Sequence, residues 1–338
     1  VTRRRRSAPV VVTAGQPGLP YSKGLTASQL MATGLSPYRS YQVAERVEER
    51  LLDRGKPEVT AEDLNALTVR VLEEVAGDRY AKNFVRWQEV AALDVPLVVL
   101  IGGATGVGKS TIATQIAARL GIVRVVATDA VREVMRSMFS SELMPTLYTS
   151  SFDADSALRE PPPKPADPVI VGFREQTMAV AVGVHALIDR AATEGTSLIL
   201  EGAHLVPGFV DVSPWRDRVL PVELVITVED EDMHRGHFAA RAADASSRPF
   251  DRYMKGFRNI RKVQKYIKSQ ALSHSVPVVP SYNLDQTLAA VVELVVERAT
   301  EHLRDRTAAS AATKATAAGE PAPQARQTEK EPVGGGSR

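Results

Sequence analysis

The sequence predicts an α/β protein, a parallel sheet with crossover helices, preceded by a small α-helical unit. Three observations carry that prediction. From Pro96 onward, short apolar runs alternate with stretches of helical periodicity, the pattern left by strands buried on both faces and their crossovers. The first of these runs leads into a glycine-rich segment that opens a helix. Residues 25 to 90, by contrast, keep helical spacing throughout.

Taken in order, residues 1–19 begin with Arg3 to Arg6 and continue through Pro9, Gly15, Pro17 and Gly18, which predicts a flexible, solvated lead. No aromatic side chain stands among the arginines to stack on a base, so nucleic acid is not expected there. In the segment 20–92, Tyr41, Ala44, Val47 and Leu51 share one helical face, Gly55-Lys56-Pro57 breaks the pattern, and Thr60 precedes a second helix through Leu64, Leu67, Val71 and Val75. The α/β unit, 93–304, has five candidate strands: Leu97 to Ile101, Val123 to Thr128, Ser197 to Leu200, Val222 to Val228 and Val276 to Val279. Pro161-Pro162-Pro163 and Pro165 predict a rigid surface loop. A last helix carries Leu288, Val291, Val292, Val295 and Val296 on one face, with Asp285 as its expected N-cap. Beyond it, residues 305–338 have hardly any large apolar side chain to offset ordering entropy and are expected to be disordered.

Composition narrows the function classes. Lys and Arg number 42 against 40 Asp and Glu, a net charge of +2 that gives no global attraction to nucleic acid or to a membrane surface. With no cysteine there are no disulfides, Cys-ligated zinc, iron–sulfur clusters or thiol catalysis, and a reducing cytoplasm is the expected location. No apolar run reaches the ~18 residues of a membrane helix, and the arginine-rich start is not followed by a signal-peptide core.

Gly103-Ala104-Thr105-Gly106-Val107-Gly108-Lys109-Ser110 fits GxxxxGK[ST], and it sits where the pattern requires, between an apolar strand and a helix that ends at Gly121. Glycines let backbone N–H groups turn inward as an anion nest, the helix N-terminus adds partial positive charge, Lys109 reaches the β/γ-phosphates and Ser110, followed by Thr111, ligates Mg²⁺. ATP is the expected nucleotide, since no guanine-selecting NKxD tetrad occurs.

The second strand ends at Thr128-Asp129, with Arg132 and Arg136 on one face of the next helix. At the carboxyl edge of a sheet, a carboxylate can orient or deprotonate an acceptor hydroxyl and two arginines can clamp an anionic acceptor; an N-cap Asp with ordinary helix ion pairs is the alternative. Glu201, closing the third strand, either orients Mg²⁺ and borders the acceptor or is a surface carboxylate. His204 is expected to be a local hydrogen-bonding group. Between His234 and Lys268, ten basic residues face two acidic ones, a local excess of eight hidden by the neutral total. Tyr253, Phe257, Ile260 and Ile267 form one apolar stripe there, which leaves most of these charges to solvent. Arg241 and Arg248 flank a small-residue segment and read as catalytic groups on a lid closing over transferring phosphate. His234 and His237 are not expected to bind metal, as no carboxylate accompanies them.

Gly102 to Ala113, Thr128-Asp129 with Arg132 to Arg136, Glu201-Gly202-Ala203-His204 with Pro207-Gly208, and Arg258-Asn259-Ile260-Arg261 with Gln264 and Tyr266 together resemble the 2-phosphoglycerate kinase family. Pro20-Tyr21-Ser22-Lys23-Gly24, Val43-Ala44 and Val47-Glu48 are similar to the ATP-cone-like module that precedes its kinase domain. The resemblance covers roughly residues 10 to 304. It implies a P-loop kinase fold with sheet order 2-3-1-4-5 and ATP-dependent phosphorylation of 2-phosphoglycerate to 2,3-bisphosphoglycerate. It further implies that Ser281 to Asp285 lie near the adenine. The partner expected is a small phosphorylated acceptor, with no nucleic acid and no membrane. A different acceptor, an inositol or sugar phosphate, leaves the mechanism intact; a non-catalytic ATP sensor would not require Asp129 and its arginines.

Overall fold

Strand β4 (Leu97–Gly102) is buried along its whole length because both faces of its sheet are covered. Val99 and Ile101 point to one core, shared with helices α5 (Lys109–Leu120), α9 (Phe250–Ser273) and α10 (Leu284–Ala318). Val98 and Leu100 point to the other, shared with α6 (Thr128–Met138) and α7 (Pro168–Glu194). The remaining strands are β5 (Val125–Ala127), β6 (Leu198–Gly202), β7 (Leu220–Thr227) and β8 (Val278–Pro280), all parallel, in spatial order β5-β6-β4-β7-β8. That is the expected 2-3-1-4-5 order. Register places Ile101 opposite Glu201 and Glu201 opposite Ala127, so three strands end together at one sheet edge.

The computed structural model describes residues 10–13, 18–91, 95–244 and 250–318. The described residues up to Thr300 form one compact unit; a second begins at Glu301. Within the first, the N-terminal segment has a core of its own around Leu30, Val43, Val47, Leu72 and Phe84.

Four expectations need correction. The N-terminal unit is not purely helical: α1 (Lys23–Met31), α2 (Pro37–Asp53), α3 (Ala61–Val75) and α4 (Asp78–Ala91) accompany a three-stranded sheet. Its central strand β1 (Val11–Thr13) lies in the expected flexible lead, pairing antiparallel with β2 (Leu19–Pro20) and parallel with β3 (Glu58–Thr60). Strands of two or three residues leave no periodic signal, and the β1–β3 pairing joins positions 47 apart. The disordered tail expected from residue 305 is instead helical to Ala318, and residues 319–338 lie outside the described residues. Asp285 does not cap α10. Asn283 does, its Oδ1 accepting from the Gln286 amide at 3.2 Å. Among the described residues no helix is long and apolar enough to cross a membrane.

Candidate active site

The P-loop turns sharply because its glycines take positive φ. At Gly106, φ is +86°, and a Cβ there would also run into the Phe238 ring, so both backbone and packing demand glycine. Gly108 is the N-cap of α5 in the left-handed region and has no side-chain oxygen to occupy the first helical amides, which stay directed at the cleft. Lys109 is buried, and its Nζ donates to the Ala104 carbonyl at 2.8 Å.

A cleft of about 390 Å³ opens over this cradle, lined by Lys109, Ser110, Asp129 and Glu201 among others. Ser110 Oγ donates to Glu201 Oε1 at 2.7 Å. Glu201 is buried, which sets aside the reading as a surface carboxylate. Asp129 is in the first turn of α6, with its side chain 78% exposed toward the cleft and 3.8 Å from Arg132 Nε. The N-cap of α6 is Ala127, whose side chain makes no capping bond, so Asp129 is not the N-cap. Ser281, Tyr282 and Leu284 also line the cleft, on the segment where the resemblance implies adenine contacts.

The two arginines of α6 do not line that cleft. Arg132 is 14% exposed in its side chain, and its Nη1 donates to the carbonyls of Leu147 (2.7 Å) and Thr149 (3.3 Å) while Nη2 donates to Glu133 (2.7 Å). Arg136 pairs with Glu133 and stacks over Tyr148, whose hydroxyl donates to the carbonyls of Arg136 and Phe139. Both therefore hold the segment 145–149 against α6. Arg248 lies outside the described residues, and of Arg241 the structure describes the helix α8 (Glu231–Asp244) that carries it.

Behind Asp129 runs a buried chain that the sequence did not disclose. The Thr128 hydroxyl is 2.9 Å from His204 Nδ1, His204 Nε2 is 2.9 Å from Gln176 Oε1, and Gln176 Nε2 donates to the Thr146 and Thr149 carbonyls. Carbonyls only accept, so Gln176 presents its Oε1 to His204; the imidazole is protonated at Nε2 and accepts from Thr128 at Nδ1. Complete burial lowers the His204 pKa to about 4, against the opposing pull of Asp129. Gly202 closes the chain, since a Cβ there would collide with the Thr128 side chain. Thus His204 is the local hydrogen-bonding group expected, placed between strand end, helix and loop.

Part of the basic stretch is structural. Arg261 donates to the carbonyls of Val228 (2.6 Å) and Glu229 (2.7 Å), Gln264 bonds both backbone groups of Val228, and Lys262 and Lys268 pair with Asp167 and Glu229. Phe257, Ile260 and Ile267 are buried as the stripe predicts. His234 Nε2 and His237 Nδ1 meet the carbonyls of Thr105 (2.9 Å) and Gly106 (3.0 Å), contacts that no sequence signal announced.

No family model matches this chain. Curated relatives do. The 2-phosphoglycerate kinase of Methanothermobacter thermautotrophicus is 38% identical over 279 residues, 81% of this chain and 89% of that protein. That of Methanopyrus kandleri is 37% identical over 282 residues (82% and 84%), and that of Pyrococcus furiosus 36% over 297 residues (88% and 96%). Among solved structures, a gluconokinase from Sinorhizobium meliloti aligns at a TM-score of 0.37 with 13% identity, covering 63% of this chain and 99% of that one.

Proposed function

The chain belongs to the 2-phosphoglycerate kinase family and is a phosphotransferase with an alcohol acceptor, and on that premise we propose that it phosphorylates the 3-hydroxyl of 2-phosphoglycerate with ATP, giving 2,3-bisphosphoglycerate and ADP. The observation that carries the reading is one cleft in which the Lys109 cradle meets two carboxylates at adjoining strand ends, Glu201 beside Ser110 and Asp129 free of strong partners on the acceptor side.

Each residue then has a task. Cradle amides and Lys109 hold the β- and γ-phosphates and offset the charge that spreads over the transferring group. Asp129 orients the acceptor hydroxyl and receives its proton as the oxygen attacks the γ-phosphorus and the bond to the β-phosphate oxygen breaks. Ser110 and Glu201 are two oxygen donors side by side, a set that suits a hard cation held otherwise by phosphate and water; they would hold Mg²⁺, which supplies charge neutralisation on the phosphates. Arg132 shapes the acceptor side by fixing the loop 145–149, and Arg136 presents a partly exposed guanidinium beside it. Arg241 and Arg248 act as the lid.

We assign the N-terminal unit, with its own core, as an ATP-cone-like module; a groove of about 450 Å³ there is lined by Thr13, Arg54, Lys56 and Thr60 among others. The deciding experiment is ADP release across a panel of phosphorylated acids, polyols and sugars, with the product identified by phosphorus NMR. Turnover with 2-phosphoglycerate and a second phosphate on its 3-oxygen is the expected result; turnover confined to an inositol or sugar phosphate would reassign the acceptor.

A further inference from the structure

Helix α8 packs against the P-loop, with His237 and Ala240 at the edge of the cleft. Its start is fixed by Asp230, whose Oδ1 accepts from the Met233 amide at 2.7 Å. One turn on, His234 is fully buried with Nε2 2.9 Å from the Thr105 carbonyl and Nδ1 3.4 Å from Arg261 Nη1. Arginine only donates, so Nδ1 is the acceptor and the proton sits on Nε2, aimed at the loop. Three residues later His237 Nδ1 lies 3.0 Å from the Gly106 carbonyl, and since a carbonyl only accepts, Nδ1 is its protonated nitrogen. Phe238, stacked on His234 with centroids 5.3 Å apart, fills the space beside Gly106.

A phosphate nest works only when its N–H groups point inward. In a trans peptide the carbonyl points opposite to the N–H, so each inward amide leaves an outward carbonyl that needs a donor. The Thr105 carbonyl shares its peptide with the Gly106 N–H, and the Gly106 carbonyl shares its peptide with the Val107 N–H. Donors to these two carbonyls thus hold successive peptides in the orientation that phosphate requires, and polarise them so that their N–H groups bind an anion more strongly.

We infer that His234 and His237 are positioning residues for nucleotide binding, holding the Thr105 and Gly106 carbonyls outward so that the cradle is preformed. The inference rests on the cleft being an ATP site. His237 lines the cleft and is only partly buried, which makes it the more tractable residue to vary.

The experiment measures the ATP dissociation constant by calorimetry on the full chain, with circular dichroism to establish folding. In His237→Asn the amide nitrogen occupies the place of Nδ1 and keeps the donor; in His237→Gln the nitrogen sits at the Nε2 position; His237→Leu keeps bulk and loses both. Losing the donor should weaken ATP about 5- to 30-fold, as expected for one hydrogen bond to an otherwise unpaired group. The expected order is wild type and His237→Asn tight, His237→Leu and His237→Gln weak, with the acceptor KM at saturating ATP little changed. For His234, whose donor is Nε2, the order inverts, and His234→Gln should bind ATP better than His234→Asn. Equal ATP affinity in wild type and folded His237→Leu would overturn the inference while leaving the nucleotide site intact. Rescue of His237 by Gln but not Asn would also overturn it, pointing to a direct Nε2 contact with phosphate. Absence of ATP binding in the wild type would remove the nucleotide reading itself, and this inference with it.

Discussion

The Ser110 hydroxyl donates to Glu201 Oε1 at 2.7 Å across 91 positions of sequence, joining the first turn of α5 to the end of β6. If this pair holds the cation of the ATP complex, Glu201→Gln should keep the shape and the bond to Ser110 but raise the Mg²⁺ concentration needed for half-maximal turnover. A drop in kcat of about 10² at fixed Mg²⁺, partly recovered at high Mg²⁺, is the expected kinetic pattern. Unchanged metal dependence would leave Glu201 a structural acceptor for Ser110.

Lys109 is buried in the cradle, with its Nζ bonded to the Ala104 carbonyl. Lys109→Ala should lose on the order of 10²-fold or more in kcat, the scale of removing one preorganised charge stabiliser. Near-normal turnover by a folded variant would contradict the assignment of the cradle.

Asp129→Asn retains volume and hydrogen bonding without the charge, so turnover should fall by roughly 10² to 10⁴ while ATP still binds. If kcat is unaltered, the carboxylate is only a helix-terminus charge.

Arg132 and the two arginines proposed for the lid should separate in kinetics. Arg132→Ala removes the side-chain donor to the Leu147 carbonyl and one of two donors to the Thr149 carbonyl, and should raise the acceptor KM with little change for ATP. Arg241→Ala or Arg248→Ala should instead lower kcat, by up to about 10³. Equal weakening of ATP and acceptor by Arg132→Ala would refute this division.

His204 and His234 both have pKa values lowered to about 4 by burial, against an ordinary value of 6.5. The unfolded chain takes up protons near 6.5 that the folded protein refuses, so their contribution is complete above that pH and is lost as pH falls toward 4. Each should cost on the order of 1 kcal/mol per pH unit in this window. Asp167 and Glu229, held below the ordinary carboxylate range by Lys262 and Lys268, add their loss only at lower pH. Urea midpoints at pH 7 and pH 5 measure the effect. The slope should flatten in His234→Gln, which keeps a donor but cannot titrate; an unchanged slope would mean that His234 is not buried as a neutral group.

By itself the sequence determined the parallel sheet, its strand order through the family resemblance, and the cradle with Lys109 and Ser110, because buried strands and phosphate nests leave dense local patterns. Glu201 and Asp129 were legible as strand-end carboxylates for the same reason. Tertiary structure decided what those patterns touch. That Arg132 supports a loop, that His204 locks Thr128 to Gln176, and that His234 and His237 hold the P-loop carbonyls are facts about partners 15 to 131 positions apart, chosen by packing rather than by spacing. The N-terminal sheet went unseen for the same reason, since strands of two or three residues are stabilised by their pairing and not by their own sequence. A side chain's type states which bonds it can make, and only the fold states which unpaired backbone groups it must satisfy.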